Sequence, residues 1–153
     1  MADIHQSVPM VATEEELAEM IFREYAAYLE QVGVRYSYRQ RAPFYVYVPL
    51  TNIDKSFTHV CRYRRGEIQI CDYCGICYTG IRLANRVAKA IRERSGSDDI
   101  VVERYGEKFE LDIYHTIQYT GIEALHQAVL DVAHVADFGF GIGKEMLGEQ
   151  FVR

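Results

Sequence analysis

The stretch IVVERYGEKFELDIYHTIQ, residues 100–118, sets the class of fold. Gly106 and Glu107 suit the two central positions of a type II′ turn, because glycine adopts the positive φ that the first position needs. With the turn there, Ile100 and Val102 fall over Phe109, Leu111 and Ile113, while Glu110, Asp112, Tyr114, Thr116 and Gln118 point the other way. Apolar and polar residues separate cleanly, as in an antiparallel hairpin with one face buried and one solvated.

The same pattern extends in both directions. Thr13 before Glu14, Glu15 and Glu16 reads as a capping box. Leu17, Met20, Ile21, Tyr25, Tyr28, Leu29 and Val32 then recur at helical spacing until Gly33. From Phe44 the period becomes two: Phe44, Val46, Val48 and Leu50 alternate with Tyr45, Tyr47 and Pro49. A hairpin turning at Arg65 and Gly66 places Phe57, His59, Cys61 and Tyr63 on one apolar face with Ile68 and Ile70, and leaves Val60 and Cys71 on the outer face. A second helix, from about Thr79 to Ser95, buries Ile81, Ala84, Val87, Ala88 and Ile91 and exposes Arg82, Arg86 and Lys89. After the 100–118 hairpin, Thr120 and Glu123 repeat the capping-box signature. Ile122, Leu125, Val129, Val132 and Ala136 form the stripe of a third helix.

The order helix, three strands, helix, two strands, helix (α-β-β-β-α-β-β-α) predicts an α+β domain. Its expected form is an antiparallel sheet of about five strands with three helices on one face. Residues 1–12 read as an N-terminal arm and residues 13–137 as a single domain. In residues 138–153, the glycines 139, 141 and 143 read as a helix-breaking joint before a closing segment. A phosphate-loop reading of that joint fails, because the spacing to Lys144 and the residue after it are wrong.

At 153 residues and 49% apolar content the chain supports one core. No run is long and apolar enough to predict a membrane span, and Met1 to Pro9 lacks the blocks of a signal peptide. Four cysteines crowd into residues 61–77, a usage that fits a reducing compartment or a metal site, so the expected location is cytoplasmic. Charge is sorted by position: residues 35–94 carry a net +8, and the rest of the chain −13. Such a split suits an anionic partner, a homodimer of opposite surfaces, or pairing across the sheet.

The element order, with Leu83-Ala84-Asn85-Arg86, Ile122-Glu123-Ala124-Leu125 and Ala136-Asp137 around the second hairpin, resembles the YbjN family and the wider type III secretion chaperone-like fold. The resemblance implies a non-enzymatic chaperone-like adaptor or regulatory module, a homodimer that holds an extended segment of a protein client. The surfaces expected to do so are the outward Tyr45 and Tyr47, Arg62 on the same sheet surface, and Arg82, Arg86 and Lys89 on the second helix. The tyrosine strip is either such a groove or a surface covered by the N-terminal arm or the partner subunit.

Two other chemistries remain open at this level. Cys71, Cys74 and Cys77 have C-x₂-C-x₂-C spacing, part of a zinc or iron–sulfur ligand set with Cys61 or His59 as the fourth ligand; the alternative is ordinary buried thiols. Arg35, Arg39 and Arg41 interleave with Tyr36 and Tyr38, and Arg62, Arg64 and Arg65 surround Tyr63. That composition suits nucleic acid or another anion, against the alternative of solvated faces and internal pairs. No Ser/His/Asp or paired-carboxylate arrangement can be argued from spacing, so no enzyme is expected.

Overall fold

A computed structural model of the chain describes residues 12–39, 43–53 and 55–153; the side chains of Lys55, Cys61 and Arg62 lie outside what is described, as does Arg41. Helix α1 (Glu14–Val32) opens on the expected cap, with Thr13 Oγ1 accepting from the Glu16 backbone N–H at 3.1 Å, and closes on Gly33 in the left-handed region. Ile21, Tyr25 and Leu29 are its buried stripe. Met20 and Val32, expected on that stripe, are exposed, because the helix meets the rest of the fold along a narrow line.

The strands are β1 (Tyr36–Ser37), β2 (Phe44–Pro49), β3 (Lys55–Arg64), β4 (Glu67–Cys77), β5 (Ile100–Tyr105), β6 (Lys108–Gln118) and β7 (Phe151–Val152). They form one sheet of seven strands in the order β1-β2-β3-β4-β6-β5, antiparallel throughout, with β7 on β4. The α+β class and element order are as expected. The count exceeds five because two short strands, β1 and β7, are added. The 100–118 hairpin has the expected register, with Ile100 opposite Ile113 and Val102 opposite Leu111. Gly106 carries the positive φ, at 63°.

The other hairpin departs from expectation. It turns at Arg65 and Gly66 as read, both with positive φ, the mark of a type I′ turn. The register then shifts between Val60 and Arg62. The extra residue, Cys61, exchanges the faces beyond it: Val60 is buried opposite Ile70, whereas Phe57 and His59 turn outward and His59 faces Cys71. Counting back from the turn without a bulge had put Phe57 and His59 inside and Val60 outside. A second shift in β4, between Tyr73 and Gly75, turns Cys74 into the core.

Helix α2 (Ile81–Ser95) buries Ala84, Val87, Ala88 and Ile91 as expected, but Ile81 at its first position is half exposed. Helix α3 (Ile122–Leu147) corrects the reading of the glycines. It begins after Gly121 without using Thr120 as a cap, and it runs through residues 138–143 without a break. The boundary expected after Asp137 therefore lies inside a helix. The glycines are there for contact. A Cβ on Gly139 would stand 2.4 Å from Cys74 Sγ, and one on Gly143 would stand 2.2 Å from the Phe151 ring. Gly75 would likewise bring a Cβ within 2.4 Å of that ring. Phe151 is thus packed closely against two glycine backbones, one on β4 and one on α3, where β7 pairs with β4. The three described helices and the inner strand faces share one apolar core.

Replacing Gly143 by Ala separates the two readings by sign. Alanine in an exposed helix stabilises by up to about 1 kcal/mol. Against a rigid buried ring it overpacks, at a cost of roughly 1–3 kcal/mol. Thermal denaturation followed by circular dichroism is expected to show a lower Tm for Gly143→Ala, by several degrees.

Candidate functional site

All described helices lie against the inner face of the sheet, so among the described residues the outer face carries no helical layer. Register alone composes that face. Tyr45 stands opposite His59, His59 opposite Cys71, and Cys71 opposite Tyr114. These four residues form a row across β2, β3, β4 and β6, about 14 Å long at the usual strand spacing. The next row brings Tyr47 against Phe57, and Tyr73 against Asp112 and Val101. The rings are in contact: Tyr45 and His59 centroids are 4.9 Å apart, Tyr47 and Phe57 4.1 Å, and the Arg35 guanidinium lies 4.8 Å above Tyr47. Phe57 is 43% exposed, high for a phenylalanine in the middle of a sheet.

This surface is concave over β3, β4 and β6, with a cavity of about 600 Å³ whose walls include Phe57, His59, Tyr73, Tyr105, Asp112 and Tyr114. Its β5–β6 end is acidic. Glu103 and Glu110 are cross-strand partners, and Asp112 follows Glu110 on the same face. The Tyr105 hydroxyl donates to Glu103 at 2.6 Å, which holds Glu103 below the usual carboxylate range and pushes Tyr105 up to about 12. Asp112 is only 4% exposed, and among the described residues its Oδ2 is buried with no hydrogen-bond partner. Burial first, then the neighbouring Glu110 and Glu103, raise its pKa to about 9. At neutral pH Asp112 is therefore a protonated acid, its proton available to the adjoining carboxylates. Burial likewise lowers His59, which keeps that ring neutral.

A second buried carboxylate closes the other side of β4. Asp72 accepts from Ser56 and, at 3.1 Å, from Thr58, and its Oδ1 meets Arg153 Nη2 at 2.7 Å. Burial raises its pKa against those partners. The Arg153 guanidinium also covers the Tyr73 ring at 4.4 Å, so the residue after β7 forms part of the rim. On the inner side Asp137 accepts from the backbone N–H groups of Asn52 and Ile53 at 2.6 and 2.9 Å, anchoring the β2–β3 connection to α3.

The expected site residues are dispersed. Tyr45 and Tyr47 lie on the outer face, as read, and the register sets Arg62 opposite Gln69. Arg82, Arg86 and Lys89 are exposed on α2, which packs behind the inner face, so they do not join the tyrosines. Cys71 faces outward, whereas Cys74 and Cys77 are buried, Cys74 with a thiol that burial raises far above its usual range. Among the described residues no three of His, Cys, Asp and Glu converge to hold a metal ion. The Arg/Tyr centre is also taken apart. Tyr36 and Tyr38 stack around Phe44 and donate to Glu30 and Glu19, Arg92 binds the Ile100 carbonyl, and Arg94 pairs with Glu145.

The arrangement is that of a single-sheet α+β fold with the described helices on one side. The YbjN protein of E. coli, described as a candidate transcription regulator, has a similar solved structure: TM-score 0.53 over 90% of this chain and 96% of that one, at 9% identity. The chain has a YbjN-like fold. No family model and no curated protein matches the sequence.

The pKa of Asp112 has a consequence for stability. An acid raised in the folded state contributes its full stability below its unfolded pKa and loses it as pH rises toward the folded value. For Asp112 that window runs from about 4 to about 9. Asp112→Asn carries no proton to lose, so its Tm is expected to lie nearest the parent's at about pH 4 and to exceed it by a growing margin up to pH 9. Melting curves across that range check it.

Proposed function

We propose that this protein is a non-enzymatic binding module that holds an extended protein segment along the outer face of its sheet, in a chaperone-like adaptor or regulatory role. One observation carries the reading: a concave, aromatic sheet face left uncovered by the described helices and lined by Tyr45, Phe57, His59 and Tyr73. Aromatic rings supply contact area to a peptide at low entropic cost, and they tolerate many sequences. Such a surface fits a client recognised by shape more than by a unique sequence. The YbjN-like fold is consistent with a regulatory setting, and a homodimer in the cytoplasm remains part of the proposal.

The distribution of basic groups favours this reading over nucleic-acid binding. Stacking on bases needs free rings beside free guanidinium groups on one surface. Here Tyr36 and Tyr38 are packed against the core and hydrogen-bonded to glutamates. Arg64 and Arg65 sit at a hairpin tip, away from the exposed bases of α2.

The test is suppression of aggregation of a chemically unfolded client, measured at ~50 and ~200 mM salt, the span over which phosphate binders lose most of their affinity. Suppression is expected at both. It should fall at least fivefold in a Tyr45→Ser, Phe57→Ser double variant and persist when Arg82, Arg86 and Lys89 are replaced by Glu. Suppression that vanishes with salt or with the α2 charges would overturn the proposal.

A further inference from the structure

Building on the proposed segment-binding face, we propose that its β5–β6 end is a subsite for one arginine side chain of the bound segment, with Asp112 and Glu110 as partners of the guanidinium and Tyr73 and Tyr105 as its walls. Three observations on Asp112 lead there. Asp112 lines the cavity, is 4% exposed, and its Oδ2 has no hydrogen-bond partner among the described residues. A buried carboxylate oxygen without a donor is costly, and a cation entering the cavity supplies the donor. Glu110 and Glu103, acceptors when ionised, can take the proton of the neutral acid but supply no donor to Oδ2. The described lining contains no lysine or arginine of its own.

Shape selects arginine over a metal ion or a simple ammonium group. The described carboxylates do not converge as a metal set. The walls are aromatic faces, on which a planar guanidinium stacks while its edge forms paired bonds to a carboxylate. The fold already makes this kind of contact at the adjoining rim, where Arg153 lies over Tyr73 and binds Asp72.

Entry of the cation has a proton consequence. The groups facing Asp112 are Glu110 and Tyr114 on β6, Glu103 and Tyr105 on β5, and Tyr73, Cys74 and the Asp72–Arg153 pair on β4 and β7. Burial and the neighbouring carboxylates keep a proton on Asp112, and a guanidinium beside it favours the ionised form. Binding of arginine should therefore release a proton to solvent.

Isothermal titration tests this with two blocked heptapeptides, acetyl-Ser-Val-Thr-Arg-Val-Thr-Ser-amide and its citrulline counterpart, which has the same shape and no charge. The arginine peptide is expected to bind at least tenfold more tightly. At pH 7, heats in buffers of different ionisation enthalpy should show release of close to one proton. Asp112→Asn and the more accessible Glu110→Gln should each remove most of the preference, and Asp112→Asn the proton release. Equal binding of both peptides would overturn the arginine subsite and leave the segment-binding face standing. Failure of both peptides to bind would count against both. Preference retained in the two variants would overturn the assignment to Asp112 and Glu110.

Discussion

The rest of the structure depends on how closely the backbone of α3 approaches β4 and β7. Two glycines one helical turn apart, Gly139 and Gly143, let the helix rest on Cys74 and on the Phe151 ring, and Gly75 of β4 makes room for the same ring. A side chain at any of the three would occupy space already filled. The contact draws Phe151 to full burial and sets β7 against Ile76 and Cys77. It thereby delivers Arg153 to Asp72, a carboxylate whose burial would otherwise leave it unpaired.

The consequence for function is one-sidedness. With the helices gathered on the inner face, Phe44, Val46, Val48, Val60, Ile68, Ile70, Leu111 and Ile113 have their cover. Among the described residues the outer face carries no helical layer, so it can hold chemistry that a helix-covered face could not. The bulge at Cys61 decides what that chemistry is, because it turns Val60 inward and Phe57 and His59 outward. The result is a gradient along one surface, aromatic over β2 and β3 and acidic over β5 and β6. Two properties useful for holding a peptide, apolar contact area and a charge that fixes register, thus lie side by side.

Much of the fold was legible in the sequence. The Thr13 cap, the β2 alternation, both hairpin turns and the 100–118 register follow from local rules, and those rules hold in the structure. Three things escaped them. A bulge such as that at Cys61 leaves no mark in an apolar alternation, and each one exchanges the faces of everything beyond it. Glycines 139, 141 and 143 carry the signal of a helix breaker, and only their tertiary neighbours, Cys74, Asn52 and Phe151 in turn, explain why they stand within a helix. The short strands β1 and β7 are too brief for periodicity to register. The candidate site was legible in part. The turn at Gly106 and Glu107 sets Glu103 against Glu110, with Asp112 beside them, but those acids read as internal partners for the basic residues. That Asp112 is buried with an unpartnered oxygen is a fact of packing that no spacing encodes. The Arg/Tyr centre misled for the opposite reason, since composition does not distinguish Tyr36 and Tyr38 in a core from tyrosines on a surface.

The central claim is that the outer sheet face is the working surface. An amide chemical-shift map of the uniformly labelled protein, recorded as an extended arginine-containing peptide is added, tests it most directly. Shifts concentrated on the row Tyr45, His59, Cys71 and Tyr114 and on Asp112, with α2 unmoved, are the predicted result. Shifts centred on Arg82, Arg86 and Lys89, or on the helix side of the core, would contradict it.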